Sequence, residues 1–305
     1  MSPVIEVDSI TKSFGKYQII SSVSMHIEPG CIYGLVGLNG AGKTTLLRLM
    51  LGILKPDNGS ISINGNTPWD HHPLFYRNCG VVLENDGFWG NLTARENCAI
   101  YASAKGITRS DLESYLATSW SSTGLFAGEK KVRHFSRGQR MQCALCRAFI
   151  GAPTVCFLDE PALALDLNAY NHFKQLATDA RDRGAALIIS SHQLDTIDEL
   201  CDRVGILRDG TITEISRNST DENWYIATGD NRIYGTIITE NGGRDVQYDK
   251  GWHFTLEQVT VRMPVIIRTL VESGAAITEV RREDTGFSPL IRTHYTGNTL
   301  RKESE

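Results

Sequence analysis

Nowhere in its 305 residues does the sequence hold the roughly 20 consecutive apolar residues that a helix needs to cross a bilayer. The densest apolar stretches, such as residues 185–189, have only the length of a strand. Any work at a membrane is therefore expected to need a partner chain. The first eight residues lack a basic segment followed by an apolar one, so no secretory signal is expected. A basic excess is missing too. Lys and Arg number 31 against 35 Asp and Glu, a net charge of -4, and no block of like charges stands out. That balance argues against a nucleic-acid binder, which usually carries a basic face. Metal-ligand spacing is also scarce. The seven cysteines are an odd number, and Cys143 with Cys146 forms the one Cys-x-x-Cys. No second pair and no histidine at ligand spacing lies near it, as a zinc site requires. Reduced, buried thiols of a cytosolic protein are expected instead. His71 and His72 read as a solvated loop, and no internal repeat or low-complexity segment is present.

Apolar residues make up 41% of the chain and charged residues 22%, enough apolar surface for a core and too little charge for a disordered chain. The length suits one large domain with a small one, or two unequal domains. Residues 4–7, 23–27 and 61–63 alternate in polarity or carry β-branched side chains and read as strands. Residues 32–36 form a short apolar strand ending in a glycine loop, and residues 44–52 are helical in character. A helical pattern of mixed polarity covers residues 93–123. Residues 155–158 and 186–190 are short apolar runs, the mark of parallel strands buried on both faces, and residues 167–183 between them read as the crossover helix. The first 217 residues thus read as α/β with an antiparallel, strand-rich start. From about residue 221 the pattern changes. Residues 224–227, 233–239, 252–256 and 277–281 read as strands. Residues 259–273 read as a helix that Pro264 should interrupt unless the helix begins there, and residues 287–295 as a short last helix. A small α+β domain over residues 221–305 is expected.

The chemistry concentrates in a few motifs. Gly37-Leu38-Asn39-Gly40-Ala41-Gly42-Lys43-Thr44 matches G-x-x-x-x-G-K-[ST] in full, after a strand and before a helix, with Thr45 following. The glycines let the backbone curl its N–H groups around one anion, and the helix N-terminus adds partial positive charge. Lys43 brings a cation to the outer phosphates, and the Thr44 hydroxyl is a hard oxygen suited to Mg²⁺. By itself this motif means a P-loop NTPase, a group that includes kinases, GTPases and helicases. A second element, Val155-Cys156-Phe157-Leu158-Asp159-Glu160, is an apolar strand with two acids at its carboxyl end, where α/β proteins bind ligands. Asp159 suits the hydration shell of Mg²⁺. Glu160 is placed to orient and activate a water at the γ-phosphate.

Between these two elements lies Phe135-Ser136-Arg137-Gly138-Gln139, followed by a helix-like segment ending in Arg147-Ala148. It resembles the signature of the ABC ATPases, usually Leu-Ser-Gly-Gly-Gln. Ala164-Leu165-Asp166 resembles that family's D-loop, Ser191-His192 its switch histidine, and Phe14 the aromatic that stacks on adenine. These features fall in family order over about residues 4–215. The resemblance implies a P-loop NTPase fold with a RecA-like core sheet, an antiparallel β subdomain and a helical subdomain at about residues 85–150, all within an ATP-binding domain of residues 1–217. It implies ATP and Mg²⁺ as cofactors, and a second copy of the chain in an ATP-dependent head-to-tail dimer. In that dimer Ser136, Gly138 and Gln139 of the signature would face the partner's nucleotide, Lys43, Glu160 and His192 would act on their own, and Asp166 would belong to the nucleotide-binding set. It also implies a transmembrane permease as partner, a place on the inner face of the cell membrane, and ATP hydrolysis that drives transport, in the export direction.

Three positions depart from the family pattern. Phe135 replaces leucine and Arg137 replaces glycine in the signature. Glu84 stands where the family has the Q-loop glutamine, and would offer Mg²⁺ a charged oxygen in place of a neutral one. Glu84 together with the run Asn91-Leu92-Thr93-Ala94-Arg95-Glu96-Asn97 resembles the lantibiotic-immunity and bacitracin-resistance exporters, which implies an antibiotic peptide or similar natural product as cargo. The segment 85–92 is expected to dock the permease, with Phe88 and Trp89 exposed. A soluble ABC-type ATPase and a nucleotide sensor that binds without turnover are the competing readings. Translation factors of the first kind carry two ATPase cassettes, and this chain carries one.

Overall fold

The computed structural model describes residues 2–70, 73–83, 87–216, 221–228, 234–283, 286–288 and 291. Contacts divide the chain into two compact units, with the boundary between Ile215 and Ser216 and with Ile291 in the larger.

The larger unit opens with β1 (Ile5–Phe14) and β2 (Tyr17–Ile27), an antiparallel pair that turns at Gly15-Lys16. Next come β3 (Ile32–Val36), α1 (Lys43–Met50) and β4 (Asn58–Ile63). β4 pairs with the free edge of β1, giving an antiparallel sheet ordered β2-β1-β4. Ile5 and Val7 of β1 and Val23, Met25 and Ile27 of β2 are buried on one face while their neighbours stay wet. This is the period of two that a half-buried strand requires. At eight residues α1 is too short to persist alone. Leu46, Leu47, Leu49 and Met50 are fully buried, each contributing about 1.5–3 kcal/mol, and hold it against the sheets.

The chain continues through α2 (Pro73–Arg77), β5 (Cys79–Val82), α3 (Ala94–Lys105), α4 (Arg109–Ser119), α5 (Arg137–Phe149) and β6 (Val155–Asp159). It completes the unit with α6 (Leu167–Asp182), β7 (Ala186–Ser191), α7 (Leu194–Leu200), β8 (Arg203–Arg208) and β9 (Thr211–Ser216). Six strands form the central sheet in the order β5-β6-β7-β3-β8-β9, parallel from β5 through β8. Every residue of β3, β6 and β7 is buried, as strands covered on both faces must be. The helical pattern read over residues 93–123 resolves into two helices. Gly106, with φ +78°, ends α3, and Thr108 caps α4 by accepting from the Asp111 N–H.

The smaller unit has the order β10 (Asp221–Thr228), α8 (Tyr234–Glu240), β11 (Gly243–Tyr248), β12 (Trp252–Glu257), α9 (Val259–Glu272) and β13 (Ile277–Glu283). Its strands form an antiparallel sheet ordered β11-β12-β10-β13. Two expectations fail here. Residues 233–239, read as a strand, are helical from Tyr234. Tyr234 and Ile238, four apart, both enter the core, and Gly235 lies so close to Trp252 that an added Cβ would sit 2.5 Å from its ring. Packing thus overrides the β-branched composition. Pro264 does not begin α9 but sits five residues inside it, on an exposed face where water can satisfy the freed carbonyl. β11 is a strand the sequence pattern did not reveal. Of the segment 287–295, Phe287, Ser288 and Ile291 are helical and the remainder lies outside the described residues, as do His71 and His72.

All seven cysteines are free and buried. Cys146 lies with its sulfur 4.0 Å from that of Cys98, and burial pushes its thiol well above the ordinary range. Such a thiol is unreactive.

Candidate functional site

The carboxyl ends of β3, β6 and β7 lie side by side, because β7 pairs with both of the others. In register, Ser190 of β7 sits opposite Leu35 of β3 on one side and Asp159 of β6 on the other. The sequence places a glycine loop after β3, two acids at the end of β6 and Ser191-His192 at the end of β7. The sheet topology therefore delivers all three to one place.

The loop after β3 curls through Gly40 at φ +82° and Gly42 at φ +103°. Gly42 is required twice over. Its conformation is one L side chains rarely adopt, and a Cβ there would stand 2.9 Å from Ile19 of β2. The curl brings Lys43 to the first position of α1, where it is 7% exposed. Its ammonium donates to the Gly37 carbonyl at 2.7 Å and lies 3.9 Å from Glu160 Oε1. Thr44 Oγ1 donates to Asp159 Oδ2 at 2.7 Å, and Ser190 Oγ donates to Asp159 Oδ1 at 2.5 Å. Asp159, 6% exposed, thus keeps both oxygens hydrogen-bonded, as a buried carboxylate must. The Glu160 N–H donates to Ser190 Oγ at 3.0 Å and to the Ser190 carbonyl at 3.2 Å. These bonds hold Glu160 at φ +48°, a left-handed conformation that costs a non-glycine residue about 1 kcal/mol or more. Its other carboxylate oxygen, Oε2, lies 2.9 Å from His192 Nδ1.

These groups open on a cavity of about 600 Å³. Phe14, Leu38, Asn39, Gly40, Gly42, Lys43, Thr44, Thr45, Asp159 and Glu160 line it, while Gly37 and Ala41 complete the loop behind the lining. Phe14 is half exposed at the rim, with the Lys12 ammonium 5.8 Å from its ring centre. Asp57 steadies this corner by accepting from Lys12 Nζ at 2.8 Å and from the Ser13 N–H at 2.7 Å. Val82 and Leu83, at the end of β5, also line the cavity, and Glu84 beyond them lies outside the described residues.

The signature residues go elsewhere. Ser136, Gly138 and Gln139 line a second cavity of about 720 Å³ together with Asp166, Gln142 and His172. Ser136 is the N-cap of α5. Its hydroxyl accepts from the Gln139 N–H at 3.2 Å, and the Gln139 side chain accepts from the Ser136 N–H at 3.1 Å. Asp166 caps α6 in the same way, accepting from the Ala169 N–H at 2.8 Å. Gly138 is held against the loop before α6, where a Cβ would stand 2.6 Å from the Ala164 carbonyl. Burial pushes the His172 imidazole below its ordinary range, and its ring lies 4.4 Å from that of Trp120.

Several participants escaped the sequence reading. Ser190, which ties Asp159 to Glu160, looks like any small residue of a buried strand. Arg137, Arg140, Met141 and Ala144 share the first cavity, one face of α5 at helical spacing. That spacing was legible once α5 was placed. Phe88 corrects an expectation. It is half buried, and the Arg147 guanidinium of α5 lies 4.5 Å from its ring centre. Trp89 is 56% exposed.

A glycine loop opening a helix, a threonine bonded to a strand-end aspartate and a glutamate held beside a histidine define a P-loop ATPase. Residues 20–163 match the family model described as ABC transporter. The bacitracin transport ATP-binding protein BcrA of Bacillus licheniformis is 36% identical over 217 residues, covering 70% of each chain. The lantibiotic transport ATP-binding protein SrtF of Streptococcus pyogenes is 29% identical over 210 residues, covering 68% of this chain and 89% of the relative. A solved ATP-binding subunit of an ABC transporter superposes with a TM-score of 0.65 at 26% identity, over 71% of this chain and 91% of that one. The chain belongs to the ABC transporter family. It is an ATP-binding subunit whose hydrolysis of ATP drives substrate translocation through a separate membrane permease. No helix among the described residues is long and apolar enough to cross a membrane.

Proposed function

We propose that this subunit works on the cytoplasmic face of an exporter for an antibiotic peptide or a similar natural product. The cargo reading is supported by its likeness to proteins named for bacitracin and lantibiotic transport, and by the Glu84 position in the sequence. The cavity residues take these roles. The glycine loop and Lys43 hold the phosphates, Phe14 stacks on the base, and Glu160 orients the attacking water. His192, hydrogen-bonded to Glu160, steadies that carboxylate and the terminal phosphate. Catalysis is then positioning and charge stabilisation, with no covalent step on the protein.

Mg²⁺ fits the donor set. Thr44 and Asp159 present two hard oxygens 2.7 Å apart in the cavity lining, and Glu84 follows the strand beside them in sequence. When bound, the ion supplies charge neutralisation to the phosphates. The second cavity contributes to the nucleotide of a second chain in a head-to-tail, ATP-dependent dimer. Ser136, Gly138, Gln139 and Asp166 serve it, with the α5 N-terminus directed at the partner's γ-phosphate. The smaller unit supports that pairing or regulates it.

The bond between Thr44 and Asp159, joining glycine loop and strand-end acid in one cavity, carries the reading. Recovery of the tagged chain from gently solubilised membranes, with mass spectrometry of what accompanies it, tests it. A stoichiometric multi-span membrane protein is expected. Recovery with ribosomal or DNA-associated partners, from the soluble fraction alone, would contradict it.

A further inference from the structure

The two edges of the smaller unit's sheet differ. β11, one edge, breaks register with β12 between Arg244 and Gln247, an irregularity of the kind that keeps an edge from pairing further. β13, the other edge, keeps continuous register with β10 from Glu279 opposite Ala227 to Glu283 opposite Asn223. Among the described residues no strand lies on its outer side, and Thr278, Glu279, Val280, Arg281 and Arg282 are all exposed. Val280, the middle residue of β13, sits opposite the core residue Ile226 yet stays 37% exposed. Glu279 and Arg281 lie on the other face of the sheet. There they pair at 2.8 Å, and the guanidinium stands 4.2 Å from the Tyr225 ring centre. A regular edge strand with an exposed apolar residue at its middle is a template for another strand.

We propose that β13 pairs antiparallel with β13 of a second copy of this chain, joining the two smaller units through one continuous sheet about a two-fold axis at Val280. Such a contact uses the same patch on both copies, so the strand must complement itself. It does so about Val280. The two Val280 side chains meet at the axis, beside the core of each unit. Each Glu279 stands opposite Arg281 of the other copy. With the Glu279–Arg281 pair already present within each strand, the four charges form a ring of alternating sign. Thr278 stands opposite Arg282, so no like charges meet. Moving the axis one residue to either side would set Arg281 against Arg281 or Glu279 against Glu279, so the charges also fix the register. A strand of seven residues buries too little to hold two chains unaided, since a stable interface takes about 1,200 Å² or more. The pairing therefore adds to the ATP-dependent dimer and rests on that reading.

The test uses the full chain carrying Glu160→Gln, with ATP, followed by light scattering and by oxidative cross-linking of an added Val280→Cys. Residues directly opposite in an antiparallel pair have Cα atoms about 4.5–5.5 Å apart, within reach of a disulfide. The seven native cysteines are buried and contribute little background. Val280→Cys is expected to cross-link two chains when ATP is present and not otherwise. Glu279→Cys, two residues out of register with its counterpart, should cross-link far less. Without any added cysteine, Glu279→Lys places like charges across the axis twice and should weaken the ATP-driven dimer about ten-fold. Glu279→Lys combined with Arg281→Glu should restore it. A chain that doubles in mass with ATP yet leaves Val280→Cys uncross-linked overturns the proposal, as does a loss that the double reversal fails to restore. A chain that stays monomeric with ATP overturns the dimer reading itself, and the pairing of β13 falls with it.

Discussion

The two cavities share α5 as a wall, yet they are built from different chemistry. Among the described residues the first is lined by three cations and two carboxylates, and its central groups are tied together by bonds from three strand ends. The second is lined by hydroxyls, amides, Asp166 and His172, with no lysine or arginine among the described residues. Its two best anion donors, the N-termini of α5 and α6, are capped by Ser136 and Asp166. A cavity of the first kind can hold a triphosphate unaided. One of the second kind offers neutral donors and helix-end dipoles, which suffice only for an anion already bound elsewhere. On the proposed reading, the contrast is that of a complete site and half of one, with a single chain binding nucleotide and a second needed to turn it over.

This contrast can be broken most sharply at Glu160. Glu160→Gln should lower ATP turnover by roughly 10²–10⁴-fold, as loss of a general base does, while leaving ATP binding intact. Steady-state hydrolysis alongside calorimetric binding checks both halves. Ser190→Ala comes next. It removes the hydroxyl that donates to buried Asp159 and accepts from Glu160, and should cost about 1–3 kcal/mol of stability in urea unfolding, with a matching loss of turnover. In the second cavity, Ser136→Ala should cost about 1 kcal/mol through loss of the α5 cap. It should lower turnover while the isolated chain binds ATP as before. Weakened binding by the isolated chain would erase the distinction between the cavities. Phe14→Ala should weaken ATP binding several-fold through lost stacking worth about 1 kcal/mol, and should weaken inorganic triphosphate binding not at all.

The smallest effect concerns Asp57. The hydrogen bond from Lys12, and then that from the Ser13 N–H, holds its carboxyl below the ordinary carboxylate range. A group depressed in the folded state stabilises the fold above its unfolded pKa and ceases to do so as pH falls through the folded one. Wild type should therefore lose a small increment of thermal stability on acidification that Asp57→Asn does not show. Parallel melting curves from neutral to acid pH would reveal an equal loss in both if Asp57 were idle.

How much was legible in the sequence follows the same division between chemistry and packing. The first cavity was readable because phosphate binding dictates residue type at fixed spacing: glycines at the curl, lysine and threonine at the helix start, acids at a strand end. Ser190 was not, since a small residue in a buried strand carries no mark of what lies across the sheet. Arg137 was noticed as an oddity and not as a lining residue, because its direction depends on how α5 is rotated. In the smaller unit no chemistry constrains the pattern. The β-branched run before Glu240 reads as a strand, and only its packing through Tyr234 and Ile238, with Gly235 against Trp252, makes it a helix. Phe88 was read as surface because loops are usually exposed. It packs instead on Arg147, a contact no spacing rule announces.

One cavity complete and one half complete should make assembly depend on nucleotide. Light scattering of the full-length Glu160→Gln chain, with and without ATP, measures this most directly. A monomer without nucleotide and a doubled mass with ATP are expected, reversed by adding Ser136→Ala. A chain that binds ATP yet stays monomeric at every concentration would contradict it.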